Sequence, residues 1–511
     1  MRALAEDMRA ASASLAAGDL SVEDRITRDV LGVVASIFLA EDEMRLDTLE
    51  VVDQMGGPQT LLPQLTQFQA ADTPERLAAF LDRLRAYPAY MAANAELVRE
   101  ALASGLTAPR IVAERTIAQL DRMLAIPIDE AVVPSMVQVA DEADRETIRE
   151  LVRDLVYPAD AAFLEVIRGL YFAATRTQPG IWSAPNGDAI YRSQVLHWTT
   201  LELDPGEIHQ SGLAELESIE AERRAISRAA GFGDDTTAFR SALAADPGNA
   251  PKSREDLLER TRAQIAAAEA ASPMMFGRLP RATCQVVTVE EYKEQDAPPA
   301  YYWPPSADSS RPGTFYINAY DLPSRQSWKL AAYAFHEAVP GHHLQIALDT
   351  ENPALNEFRR FAARFAAGSF VEGWGLYSER LADEMGLYRN DGERFGMLDA
   401  QAWRAARLVV DTGIHALRWT RLQGIDQMLA AGLSETDAVI ETDRYIAHPG
   451  QALAYKIGQR EIERLRRELS AAMPAGAAFD LRAFHDELLG HGSLPLATLA
   501  AELPGWLAAR T

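Results

Sequence analysis

Apolar residues recur at spacings of three and four along much of this chain, which is the period of an amphipathic helix. Stretches 74–87, 147–156 and 253–270 show the pattern, and Ala, Leu, Glu and Arg dominate the first two-thirds of the sequence. Ser253 with Asp256 resembles a capping box at the start of the last stretch. Turn signals punctuate the pattern at Pro179-Gly180, Pro185-Asn186-Gly187, Asp204-Pro205-Gly206 and Asp246-Pro247-Gly248. One segment departs from it. After Pro312-Gly313, residues 314–317 are β-branched and aromatic, which predicts a strand. No repeat of fixed period is present, and no long low-complexity linker, although 298–313 is rich in Pro and Ser. The pattern predicts a mostly α, large two-lobed helical protein with a small β-sheet. A helical lobe over 1–280 and a second lobe over 281–511 is the expected division, with one continuous domain as the alternative.

Composition narrows the classes. At 511 residues and 48% hydrophobic, the chain can bury a substantial interior and is not a disordered protein. No run of eighteen apolar residues predicts a transmembrane helix. The net charge of -24, without a basic stripe, argues against nucleic acid or an anionic membrane as partner. Cys284 is the single cysteine, so an intramolecular disulfide and a cysteine-based metal site are both excluded. The N-terminal stretch lacks a basic start followed by a long apolar core, so no signal peptide is read there. Together these features lead to the expectation of a cytoplasmic protein.

Chemistry concentrates in His336-Glu337-Ala338-Val339-Pro340-Gly341-His342-His343-Leu344-Gln345. The chain has nine histidines, so three within eight residues stand out from background. Two neutral imidazoles for a metal, with a carboxylate beside the first, is the donor pattern of zinc hydrolases. The spacing differs from the usual four residues. On an unbroken helix, residues six apart are separated by about 240° in azimuth and about 9 Å in rise; residues seven apart share a face but rise about 10.5 Å. Neither pair can share an ion unless the helix breaks between them. Pro340 and Gly341 stand where the break is needed. The residues alone leave His342 and His343 both open as the second ligand.

Further blocks downstream carry polar groups. In Phe370-Val371-Glu372-Gly373-Trp374-Gly375-Leu376-Tyr377-Ser378-Glu379, Glu372 and Glu379 are seven apart and share a helix face. Arg404, Arg407, Asp411 and His415 form a polar stripe on a predicted helix. Arg444-Tyr445 and Pro449-Gly450-Gln451-Ala452-Leu453-Ala454-Tyr455-Lys456-Ile457-Gly458 supply two tyrosines and two cations. His209, after Asp204-Pro205-Gly206, reads as a cap or a surface residue, with an approach to the cleft as the alternative.

These blocks resemble a broad bacterial family of uncharacterised proteins bearing H-E-x-x-P-G-H-H-x-Q, itself similar to the gluzincin zinc metallopeptidases. The resemblance covers about residues 118–465. It implies Zn²⁺ as cofactor, with His336, His342 and Glu372 as ligands and Glu379 orienting one of them. It implies Glu337 as general base, and Tyr455, with Tyr445 in reserve and His415 beside it, as donor to the oxyanion. Arg444 or Lys456 would hold a substrate carboxylate. Strand residues 314–318, Tyr316 among them, would pair with an extended substrate beside the metal helix. The implied function is a zinc-dependent metallopeptidase acting on short peptides, possibly as a carboxypeptidase. A zinc hydrolase of a non-peptide amide or ester, or a peptide-binding protein without catalysis, are the alternatives.

Overall fold

A computed structural model of the chain describes residues 1–289, 294, 298–306, 311–474 and 477–510. Residues 307–310 of the Pro- and Ser-rich stretch lie outside the described residues. The expected helices form, with shifted ends. Pro74–Ser104 runs through Pro88 and far exceeds 74–87. Glu142–Leu151 passes into a wider π turn at Val152–Val156. Arg254–Ala271 starts at Ser253, whose side chain accepts from the Asp256 amide. Only half of the capping box is present, because Asp256 reaches back to the Lys252 amide instead. Asp204 caps Pro205–Ala229 by accepting from the amides of Gly206 and Glu207, which turns a predicted break into a helix start.

Among the described residues the chain is mostly helical with one three-stranded sheet, ordered β1-β3-β2. The strands are β1 (Cys284–Thr288), β2 (Ala300–Trp303) and β3 (Gly313–Ile317). β3 pairs in parallel with β1 and antiparallel with β2, placing Phe315 opposite both Val286 and Tyr302. This overturns one expectation. Residues 314–318 were to offer backbone to a substrate, but β3 is central and has no free edge. Tyr316 stacks on Tyr301, with ring centroids 4.7 Å apart.

The helices that build the site are α1 (Gly187–Thr199), α2 (Ser327–Glu337), α3 (His342–Glu351), α4 (Gly368–Glu384), α5 (Asp391–His415), α6 (Glu435–Ala447) and α7 (Ala454–Ala471). The sheet packs on α2: Val286, Phe315 and Ile317 share a core with Leu330, Ala334 and Ala338. Two larger cores make up the rest. One joins Tyr191, Phe335, Trp374 and Leu408 to the terminal residues Ile26 and Trp506. The other joins Phe80, Leu84 and Tyr171 to Val410, Ile414 and Tyr445. Helix α5 feeds both cores and is buried almost all round.

That burial changes the reading of the α5 stripe. Arg404, Arg407, Asp411 and His415 are all buried rather than solvated. A charge in such a place is tolerated only when paired. Arg407 donates through Nη2 to Glu441 Oε2 at 2.9 Å and through Nε to the Tyr445 hydroxyl, while its guanidinium lies 4.3 Å from the Tyr455 ring centroid. Asp411 accepts from the Tyr191 hydroxyl and the Gly450 amide. Burial alone would raise the Glu441 pKa, but Arg407 and Arg444 outweigh it and hold the group at about 2. Glu441→Gln is therefore expected to cost about 3 kcal/mol at pH 7, by stranding Arg407. A depressed carboxylate pKa contributes stability that is complete above about 4.5 and lost as pH falls through about 2. Urea unfolding of both proteins across that range should show the gap between them narrowing with acid.

Candidate functional site

Helix α2 ends at Glu337 and α3 begins at His342, so the expected interruption is present. The Val339–Pro340 peptide is cis, and Ala338 leaves the helical region. The chain turns so tightly that a Cβ on Gly341 would overlap the His336 carbonyl, which leaves glycine as the residue that fits. The indole N–H of Trp374 on α4 donates to the Pro340 carbonyl at 2.9 Å, and Ser378 donates to the Phe335 carbonyl. Two α4 side chains thus tie down the broken segment.

The break brings the His336 and His342 rings together, with centroids 4.7 Å apart and planes nearly perpendicular. Glu372 Oε2 lies 3.6 Å from His336 Nε2 and 3.5 Å from His342 Nε2. One ligand atom from each of the three lies within 4.8 Å of the others, and this is the one such group of three among the described residues. Gly375 leaves room for it. A Cβ there would stand 2.8 Å from His336 Nε2 and 2.9 Å from His342 Cε1. Two imidazole nitrogens and a carboxylate, convergent and half enclosed, are a donor set that can hold a divalent metal of the zinc type.

His336 is oriented from behind. Its Nδ1–H donates to Glu379 Oε1 at 2.9 Å, leaving Nε2 to face His342 and Glu372. Burial would lower the His336 pKa, but Glu372 and Glu379 outweigh that and raise it to about 9. Burial would likewise raise Glu372, yet the two histidines hold it well below the ordinary carboxylate range. The pocket attracts positive charge. His342 Nδ1 is buried without a hydrogen-bond partner among the described residues.

His343 points elsewhere. Its Nε2–H donates to the Ala282 carbonyl, so its Nδ1 accepts from the Tyr302 hydroxyl at 2.9 Å. Both nitrogens are occupied, and burial lowers the ring to about 4, so it stays neutral. Glu337 lies on the last turn of α2, half-buried, with no hydrogen bond or ion pair to any described residue. A free carboxylate therefore sits next in sequence to His336.

The other expected site residues divide. The backbones of Gly373 on α4 and Gly458 on α7 touch closely enough that a Cβ on either would overlap the other. Tyr455 is one turn before that contact, half-buried, with its hydroxyl unbonded among the described residues. Arg444 keeps a partly exposed guanidinium, bonded to Gln451 and 3.6 Å from Glu441. His415 is a correction. It is fully buried, its Nδ1 accepts from the Ile181 amide, and its Nε2–H donates to the Tyr445 carbonyl. It also stands eleven residues beyond Arg404 on α5, about 16 Å along the axis. It ties the core and has no proton left for an oxyanion. Tyr445 is committed too, accepting from Arg407 and donating to Glu441. Lys456 is 1% exposed and bonded to Gln401 and Gln459, so it cannot hold a substrate carboxylate. His209 bonds Thr412 Oγ1 inside the core. Two contributors were not read from sequence: Gln401, which holds Glu379, and Gly375, whose only signal was a second glycine beside Trp374.

Fold and site together define a mostly helical protein with a half-enclosed His-His-Glu pocket. Residues 1–503 match the family described as bacterial protein of unknown function (DUF885), and the chain belongs to that family. It is similar to a solved structure described as a "putative lipoprotein" from Colwellia psychrerythraea, at 30% identity and a TM-score of 0.93, covering 99% of this chain and 90% of the other. A "putative lipoprotein of unknown function" from Shewanella oneidensis shares the fold at 19% identity and a TM-score of 0.73, covering 98% of this chain and 91% of the other. No curated protein matches. These neighbours overturn the expected cytoplasmic location, which rested on the N-terminal pattern and the single cysteine. No described helix is long and apolar enough to cross a membrane.

Proposed function

We propose that this protein is a zinc-dependent hydrolase of short peptides, working in the cell envelope. The observation that carries the reading is the convergence of His336, His342 and Glu372, with Glu337 unengaged beside them. The pocket fits Zn²⁺ by donor chemistry, by the space that Gly375 leaves, and by the carboxylate behind His336. A bound zinc supplies Lewis acidity, which makes a water at the site acidic enough to ionise near neutral pH. Glu337 takes the proton of the attacking water and returns it to the leaving nitrogen as the C–N bond breaks. The Tyr455 hydroxyl donates to the substrate carbonyl oxygen as negative charge builds there. The resemblance to gluzincin peptidases supports peptide as the substrate class, and the neighbours described as lipoproteins support the envelope.

His342→Ala is expected to weaken zinc binding at least about 100-fold, whereas His343→Ala leaves it within about twofold. Chelator competition on both proteins checks this, and equal losses would reject the ligand assignment. Activity is tested with a panel of short peptides bearing free or blocked termini. Cleavage of peptides by the zinc-loaded protein is expected. Turnover of simple amides or esters alone would move the substrate class away from peptides.

A further inference from the structure

The polar chain behind His336 does not stop at Glu379. Gln401 on α5 donates from Nε2 to Glu379 Oε2 at 3.0 Å and to the Leu376 carbonyl at 3.1 Å. Its Oε1 accepts from Lys456 Nζ at 2.8 Å. Lys456 also donates to Gln459 Oε1 at 2.7 Å, and Gln459 donates onward to Glu463. Glu379, Gln401, Lys456 and Gln459 are all buried, with exposures of 2% or less. A buried ammonium is costly, and apolar side chains of similar volume would fill the same space without that cost.

We propose that Lys456 is a positioning residue that fixes the polarity of this chain and so holds His336 ready for a metal. An ammonium has three donors and no acceptor, so it can only face the oxygen of the Gln401 amide. The amide nitrogen must then face Glu379 and Leu376, and both of its hydrogens are used. With Gln401 reversed, an N–H₂ would meet the ammonium and a carbonyl would meet the carboxylate. Glu379 consequently accepts on both oxygens, from Gln401 and from His336 Nδ1–H. With Nδ1 committed to Glu379, Nε2 is the His336 nitrogen that faces His342 and Glu372. Burial lowers the Lys456 pKa to about 8, so the group is still largely protonated at neutral pH.

The inference rests on the zinc reading, and the experiment separates the two. Zn²⁺ affinity is measured by chelator competition on folded wild type, Lys456→Met, Glu379→Gln and the double variant, with thermal melts of each apo protein. Wild type is expected to bind, and Lys456→Met to lose about tenfold or more. In the Glu379→Gln background the same substitution is expected to lose less than about twofold, because its effect passes through Glu379. If Lys456→Met does not fold, Gln401→Leu cuts the same link and carries the comparison. Wild-type affinity with an undiminished Lys456→Met, or equal losses in both backgrounds, overturns the positioning role alone. Failure of wild type to bind zinc overturns both readings.

Discussion

Glu337→Gln is expected to bind zinc within about twofold of wild type and to lose at least about 100-fold in peptide turnover. The two effects separate because Glu337 is not among the convergent donors, which are His336, His342 and Glu372. Glutamine matches glutamate in size and keeps one acceptor, but it cannot take a proton from water. Nothing bonded to Glu337 among the described residues is lost, so no structural penalty accompanies the change. Steady-state kinetics beside metal analysis of the same preparation make the check. Unchanged turnover would remove Glu337 from the chemistry, and loss of zinc would make it a ligand.

The second large effect is expected at Gly375→Ala. The added methyl would stand 2.8 Å from His336 Cε1 and Nε2 and 2.9 Å from His342 Cε1. His336 cannot swing aside without breaking its 2.9 Å bond to Glu379. Both rings must therefore give way, His336 by straining that bond and His342 by turning, so zinc affinity should fall about 100-fold, or about 2.7 kcal/mol. The apo protein responds differently. Alanine within a helix gains up to about 1 kcal/mol over glycine, which offsets part of the crowding. Affinity should therefore fall by more than the stability of the apo form does. Calorimetry with and without zinc reads both quantities, and an unchanged zinc affinity would show that the rings have room to spare.

Much of this site was legible in the sequence because helical geometry is unforgiving. Residues six apart cannot converge without a break, and Pro340-Gly341 marked where it falls. The resemblance implied that Glu379 orients one of the ligating histidines, and the structure places it on His336. Periodicity states which residues share a face, however, and not what covers it. The α5 stripe was visible as a stripe, but only the packing shows it buried, with Arg407 paired to Glu441 on α6 and His415 bonded to backbone groups. His415 and Lys456 were misread for that reason. The strand at 314–317 was visible, but its central place in the sheet was not, because pairing partners 29 residues upstream leave no mark on a strand's own sequence. Location failed because composition and the N-terminal pattern are weak evidence against what the related structures indicate.

The central claim is that three side chains from two helical segments and a third helix meet on one ion. It is tested most directly by the zinc content and affinity of purified wild type beside His336→Ala and Glu372→Ala. The account predicts one tightly held zinc per wild-type chain and a loss of at least about 100-fold in affinity for each variant. A wild-type protein that takes up no zinc, or variants that hold it as tightly as wild type, would contradict it.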